Sequence, residues 1–70
     1  MEFAIVIEKS DHNHAAYVPD WPGCVATGET IEETEQQIRE AILFHLRGLR
    51  EDGQPIPDPT CKVNYVVVAA

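Results

Sequence analysis

Residues 2 to 8, EFAIVIE, form a short run dominated by β-branched and aromatic side chains, too short for a helix and suited to a strand. Ser10 to Asn13 is polar turn material, and Ala15 to Val18 is apolar again, so the two runs predict a hairpin. Pro19-Asp20-Trp21-Pro22-Gly23 breaks the pattern: its prolines fix φ and remove amide donors, and Gly23 permits a positive φ. Cys24 to Thr27 predicts a third short strand.

The period then changes from two to about 3.6. Thr30-Ile31-Glu32-Glu33 is a capping box, in which the Thr30 hydroxyl accepts from the Glu33 amide while the Glu33 carboxylate reaches back. Glu32, Glu33 and Glu35 crowd the end of the helix where its dipole favours acids, and Arg39, Arg47 and Arg50 occupy the second half. Ile31, Ile38, Ile42, His45 and Leu49 fall on one face, which Ala41 and Leu46 widen. Gly48 costs about 1 kcal/mol inside such a helix, so fraying or close packing is expected there. Gly53 supplies the C-terminal cap, and Pro55, Pro57 and Pro59 stop the helix.

Residues 61 to 69, CKVNYVVVA, predict a last strand. The order strand, strand, strand, helix, strand gives an α+β fold with a four-stranded mixed sheet. A right-handed crossover makes the third and fourth strands parallel, and the expected sheet order is 3-2-1-4. One helix covers one face of that sheet. Yet Phe3, Ile5 and Ile7 alternate with Ala4 and Val6, and Val63, Tyr65 and Val67 with Val66 and Val68, so both strands are apolar on both faces. A lone copy would leave apolar surface or a long edge strand in water, and a homo-dimer or tetramer is expected.

Length and charge sharpen this picture. Seventy residues form one domain, and a chain of this size buries only about 60% of the surface its unfolded form exposes, so a partner subunit is a natural source of added stability. Twelve acids against five Lys and Arg give a net charge of −7, which suits a basic protein surface and leaves too few cations for a phosphate-binding patch. Cys24 and Cys61 are too few for a disulfide scaffold. No apolar run approaches the roughly 20 residues of a membrane span, and the start MEFAIVIEK lacks the basic and cleavage regions of a signal peptide. A cytoplasmic location follows as the expectation, without membrane contact.

Several residues carry possible chemistry. Asp11-His12-Asn13-His14 has a metal-like look, but a closed zinc site takes four ligands and a catalytic one three; the remaining imidazole, His45, lies on the apolar face of the helix, where a core role is the default. No metal and no cofactor are expected. Cys24 beside a tight turn has no base and orienting acid legible around it. Glu8, Asp11, Asp20 and Glu29 define the enzyme alternative, magnesium-dependent phosphodiester hydrolysis.

The run Tyr17, Pro19, Asp20, Trp21, Pro22, Gly23, Cys24, followed by Gly28, Glu29, Thr30, Glu32, Glu33, then Glu40, Ala41, and finally Gly53, Ile56, Pro57, Pro59, resembles the HicB antitoxin family over nearly the whole chain. The resemblance implies a partial ribonuclease-H-like fold of the β-β-β-α-β type. It also implies a non-enzymatic protein that binds and masks HicA, a small basic mRNA-cleaving toxin. Two-metal hydrolysis would need carboxylates within the first and last strands, and FAIVI (3–7) and VNYVVVA (63–69) contain none. Many family members carry a further DNA-binding segment. The last predicted strand runs to Ala70, so a single domain over residues 1–70, without that segment and without direct nucleic-acid contact, is expected.

The expected partner-contact residues are His12, His14, Asp20, Trp21 and Glu29. Two readings of Trp21 stay open, an exposed interface anchor and a lid folded back on the core. The alternatives to the toxin-binding role are a regulatory binding module without a toxin and, behind it, a degenerate metal-dependent nuclease.

Overall fold

A computed structural model describes residues 1–69. Three strands, β1 (Val6–Lys9), β2 (His14–Tyr17) and β3 (Val25–Gly28), precede one helix, α1 (Ile31–Glu51). The strands form an antiparallel meander in the order β1-β2-β3, with Val6 opposite Tyr17 and Lys9 opposite His14, then Tyr17 opposite Val25 and His14 opposite Gly28. The hairpin at residues 10–13 closes through the Ser10 amide donating to the Asn13 carbonyl at 2.9 Å, with the Ser10 hydroxyl adding a second bond to the same oxygen at 3.1 Å.

The helix is fixed at both ends by local chemistry. Thr30 is the N-cap, its Oγ1 accepting from the Glu33 amide at 3.0 Å. The Glu33 carboxylate reaches back one residue further than a simple capping box, accepting from the Glu29 amide at 3.4 Å. At the other end Gln54 N donates to the Leu49 carbonyl (2.8 Å) and Gly53 N to that of Arg50 (3.1 Å), with Gly53 at φ +70°. That bond pair is a Schellman cap, and the left-handed residue it requires is the reason for glycine there.

The core lies between α1 and the sheet: Ala16, Val18, Trp21, Ile38 and Leu46 are buried, with Phe3, Ile5, Ile7, Ala26, Ala41 and Ile42 packed around them. The helix rests mainly on β3 and β2. Its buried line is Thr34, Ile38 and Leu46, so the centre of the apolar face differs from the expected one: Ile31 and His45 are exposed and Leu49 is only half-buried. Thr34 belongs to that line because its hydroxyl donates to the Thr30 carbonyl at 2.7 Å, which satisfies the one polar group it buries.

The expected fourth strand is not formed among the described residues, and the order 3-2-1-4 reduces to the three-stranded sheet. Residues 61–64 run beside Glu2, Phe3 and Ala4, next to the outer edge of β1. Beyond them the chain leaves the sheet: Tyr65, Val66, Val67 and Val68 are 74–98% exposed. A strand is made by its backbone partners, and these residues have β propensity but no ladder. The molecule is accordingly elongated, 49 × 27 × 17 Å.

Candidate functional site

The proline-rich loop is two β-turns in series. Trp21 N donates to the Val18 carbonyl (3.0 Å) and Cys24 N to the Trp21 carbonyl (3.1 Å), while Val18 N donates to the Cys24 carbonyl (3.1 Å) and closes the base of the loop. Each turn has proline at its second position, where a fixed φ near −65° is wanted, and Gly23 at φ +90° takes the third position of the second turn. Those turns send neighbouring side chains in opposite directions.

Trp21 points inward. Its indole lies 4.4 Å from the Phe3 ring and 4.5 Å from the His45 ring, tilted 45° and 40°, and the residue is only 7% exposed. The lid reading of Trp21 therefore holds and the exposed-anchor reading does not, because a large apolar ring at the open end of a small core gains more from burial than from water. His45 differs from its expected core role: it is exposed and stacks edgewise on that lid.

Asp20 points outward and is taken up by the chain after the helix. Its carboxylate accepts from the Thr60 amide at 3.3 Å, from the Cys61 amide at 3.4 Å and from the Thr60 hydroxyl. The Thr60 hydroxyl, first, and the amides hold the Asp20 carboxyl below its ordinary value. The hydrogen bond to that carboxylate raises the Cys61 thiol, and burial raises Cys24. Neither cysteine is the activated thiolate that nucleophilic catalysis needs.

The remaining expected contact residues lie at the opposite end of the sheet. His12 is exposed in the β1–β2 turn, His14 opens β2 opposite Gly28, and Glu29 is exposed directly after β3. His14 Nδ1 is buried without a hydrogen-bond partner. The five residues thus form two groups separated by the length of β2, with His12, His14 and Glu29 at one end and Asp20 and Trp21 at the other. Glu32 and Glu33 add exposed carboxylates to the first end. Among the described residues, no three His, Cys, Asp or Glu side chains come together as metal ligands would. No helix is long and apolar enough to cross a membrane.

Sequence reasoning missed two features of this surface. Thr60 and Cys61 gave no signal, since they meet Asp20 across forty residues of chain. Val25 and Phe44, 64% and 75% exposed, border a shallow apolar recess with Pro22, Gly23, Cys24 and His45. The signal for Phe44 was present in its position off the apolar face of the helix.

Residues 3–69 match the family described as HicB_like antitoxin of bacterial toxin-antitoxin system. The chain belongs to the HicB-like antitoxin family. A HicB-like relative of Haemophilus phage HP1, known as an uncharacterized 14.9 kDa protein, is 40% identical over 66 residues, which cover 94% of this chain and 50% of that protein. The crystal structure of the Burkholderia pseudomallei antitoxin HicB superposes with a TM-score of 0.80 at 39% identity, over 90% of this chain and 48% of that one. The HicA3 and HicB3 toxin-antitoxin complex contains a chain that matches with a TM-score of 0.68 at 30% identity, over 86% of this chain and 70% of that one. This HicB-like chain therefore spans about half the length of the phage relative and of the Burkholderia antitoxin.

Proposed function

We propose that this chain is a non-enzymatic antitoxin module that binds a small, basic, mRNA-cleaving toxin of the HicA type in the cytoplasm and masks it. The observation that carries the reading is the family match over residues 3–69, joined to the likeness to an antitoxin chain in a HicA3–HicB3 complex. The charge is consistent with it: a net −7 favours encounter with a basic protein and opposes contact with nucleic acid. Residues 1–70 act as one domain, assembled as a homo-dimer or tetramer, with no cofactor.

The toxin contact in this reading centres on the end of the sheet that carries His12, His14 and Glu29. There the exposed carboxylates of Glu29, Glu32 and Glu33 meet a cationic surface without competing ion pairs in a protein core. Asp20 and Trp21 serve from the other end, Asp20 by holding the chain at Thr60 and Trp21 by holding the loop shape from inside. Co-expression with a short basic protein encoded beside this one, followed by size-exclusion chromatography, tests the reading. One co-eluting complex supports it. Separate elution removes the pair and favours a binding module without a toxin.

A further inference from the structure

The molecule carries two unsatisfied surfaces that fit each other and do not touch. The first is a groove of about 470 Å³ between α1 and the start of the chain, lined chiefly by Met1, Phe3, Ile5, Ile38, Ile42 and Leu43. It borders β1, whose outer edge has no strand neighbour among the described residues. The second is the segment from Val63 to Val68: β-branched and aromatic apart from Asn64, apolar on both faces, without a ladder, and exposed by 92% at Tyr65 and 98% at Val67. An unpaired β edge and a strand-competent apolar segment are each hazards in water, and each is the remedy for the other.

The geometry says why one copy leaves both open. Asp20 pins Thr60 and Cys61 at the end of the sheet, and residues 61–64 pass beside Glu2, Phe3 and Ala4. From Tyr65 onward the same segment leaves its own domain while its own groove stays unfilled. Pro55, Pro57 and Pro59 stiffen the approach to that root, as proline-rich arms do. Two copies related by a two-fold axis satisfy both surfaces twice, because such an interface is self-complementary.

We propose that two copies of this chain exchange residues 63–68, the segment of each adding as a fourth strand to the β1 edge of the other and covering its groove. The proposal rests on the multi-copy reading above and specifies its mode. Toxin masking is scored by a different assay, so either can fail alone.

Size-exclusion chromatography with light scattering on the full chain and on Val67→Pro tests it. Val67 touches little in its own copy, and proline there removes a ladder donor without touching the core. The wild type is expected at twice the 7.8 kDa chain mass and V67P at that single mass, with unchanged helical circular dichroism. In a mixture of labelled and unlabelled chains, isotope-filtered NOEs are expected between Val67 of one copy and Phe3 or Ile5 of the other. A monomeric wild type, a V67P variant that stays dimeric, or NOEs of this kind found only within a chain would each overturn the exchange. A dimeric V67P would still leave a multimer, joined by another surface.

Discussion

A side chain at Gly28 would collide with Thr34: a Cβ built there lies 2.7 Å from Thr34 Oγ1 and 2.8 Å from its backbone nitrogen. The last residue of β3 and the first turn of α1 touch so closely that only a hydrogen atom fits between them. Thr34 is itself fully buried and bonded to Thr30, so it has little freedom to give way. Gly28→Ala is expected to destabilise the fold by about 1–3 kcal/mol, the usual cost of overpacking. Gly48 has no atom within 4 Å of the same construction, so Gly48→Ala is expected to stabilise by about 0.5–1 kcal/mol through helix propensity. Urea denaturation of the two variants checks the opposite signs.

Trp21 closes one end of the core against Phe3 and His45. Trp21→Ala is expected to cost about 3–5 kcal/mol, the range for removing a large buried aromatic, and most of the stability of a domain this small goes with it. Trp21→Phe keeps the stacking and should lose less. Tryptophan emission of the native wild type is expected to shift to the red on unfolding, and a native spectrum like that of the unfolded chain would contradict the buried lid.

The contact between Asp20 and Thr60 depends on pH in a definite direction. Hydrogen bonds favour the carboxylate, so the folded pKa lies below the ordinary value of 3.8. The contribution of the contact is therefore fully present above that value and is lost as the pH falls through the lowered one. Amide exchange at Thr60 and Cys61 should be slow at neutral pH relative to Asp20→Asn, and the difference should vanish in acid. Equal exchange in the two proteins at neutral pH would contradict the contact.

Much of this could be read from local chemistry. Prolines and a glycine spaced three apart specify the two turns of the 18–24 loop, Thr30 and Glu33 mark the start of the helix, and Gly53 marks its end; each depends on residues within a few positions. What stayed hidden is non-local. Nothing near Trp21 says whether its ring meets Phe3 or solvent, and nothing near Asp20 announces Thr60. Thr34 is polar by type, and its place on the buried line follows from the close approach of Gly28. The run from Val63 to Val68 has strand chemistry, but a strand also needs a neighbour, and its own sheet does not supply one.

The N-cap gives a further check on the helix. Thr30→Ala removes the acceptor for the Glu33 amide and is expected to cost about 1 kcal/mol. Thr30→Ser keeps the hydroxyl and should recover most of that loss in thermal unfolding.

The acidic end of the sheet supplies the prediction closest to function. Replacing Glu29 and Glu32, both exposed, by lysine is expected to weaken association with a basic toxin mainly through a slower on-rate, with reduced salt dependence and an unchanged fold. Surface plasmon resonance at two ionic strengths separates these effects. Equal rates for variant and wild type would move the contact elsewhere on the molecule.

The most direct test of the antitoxin reading is an RNA-cleavage assay with the purified neighbouring toxin, titrated with this chain. Cleavage should fall in proportion to added chain and stop once the toxin is fully bound, and the chain alone should leave the RNA intact. Cleavage that continues unchanged in an excess of the chain would contradict the reading.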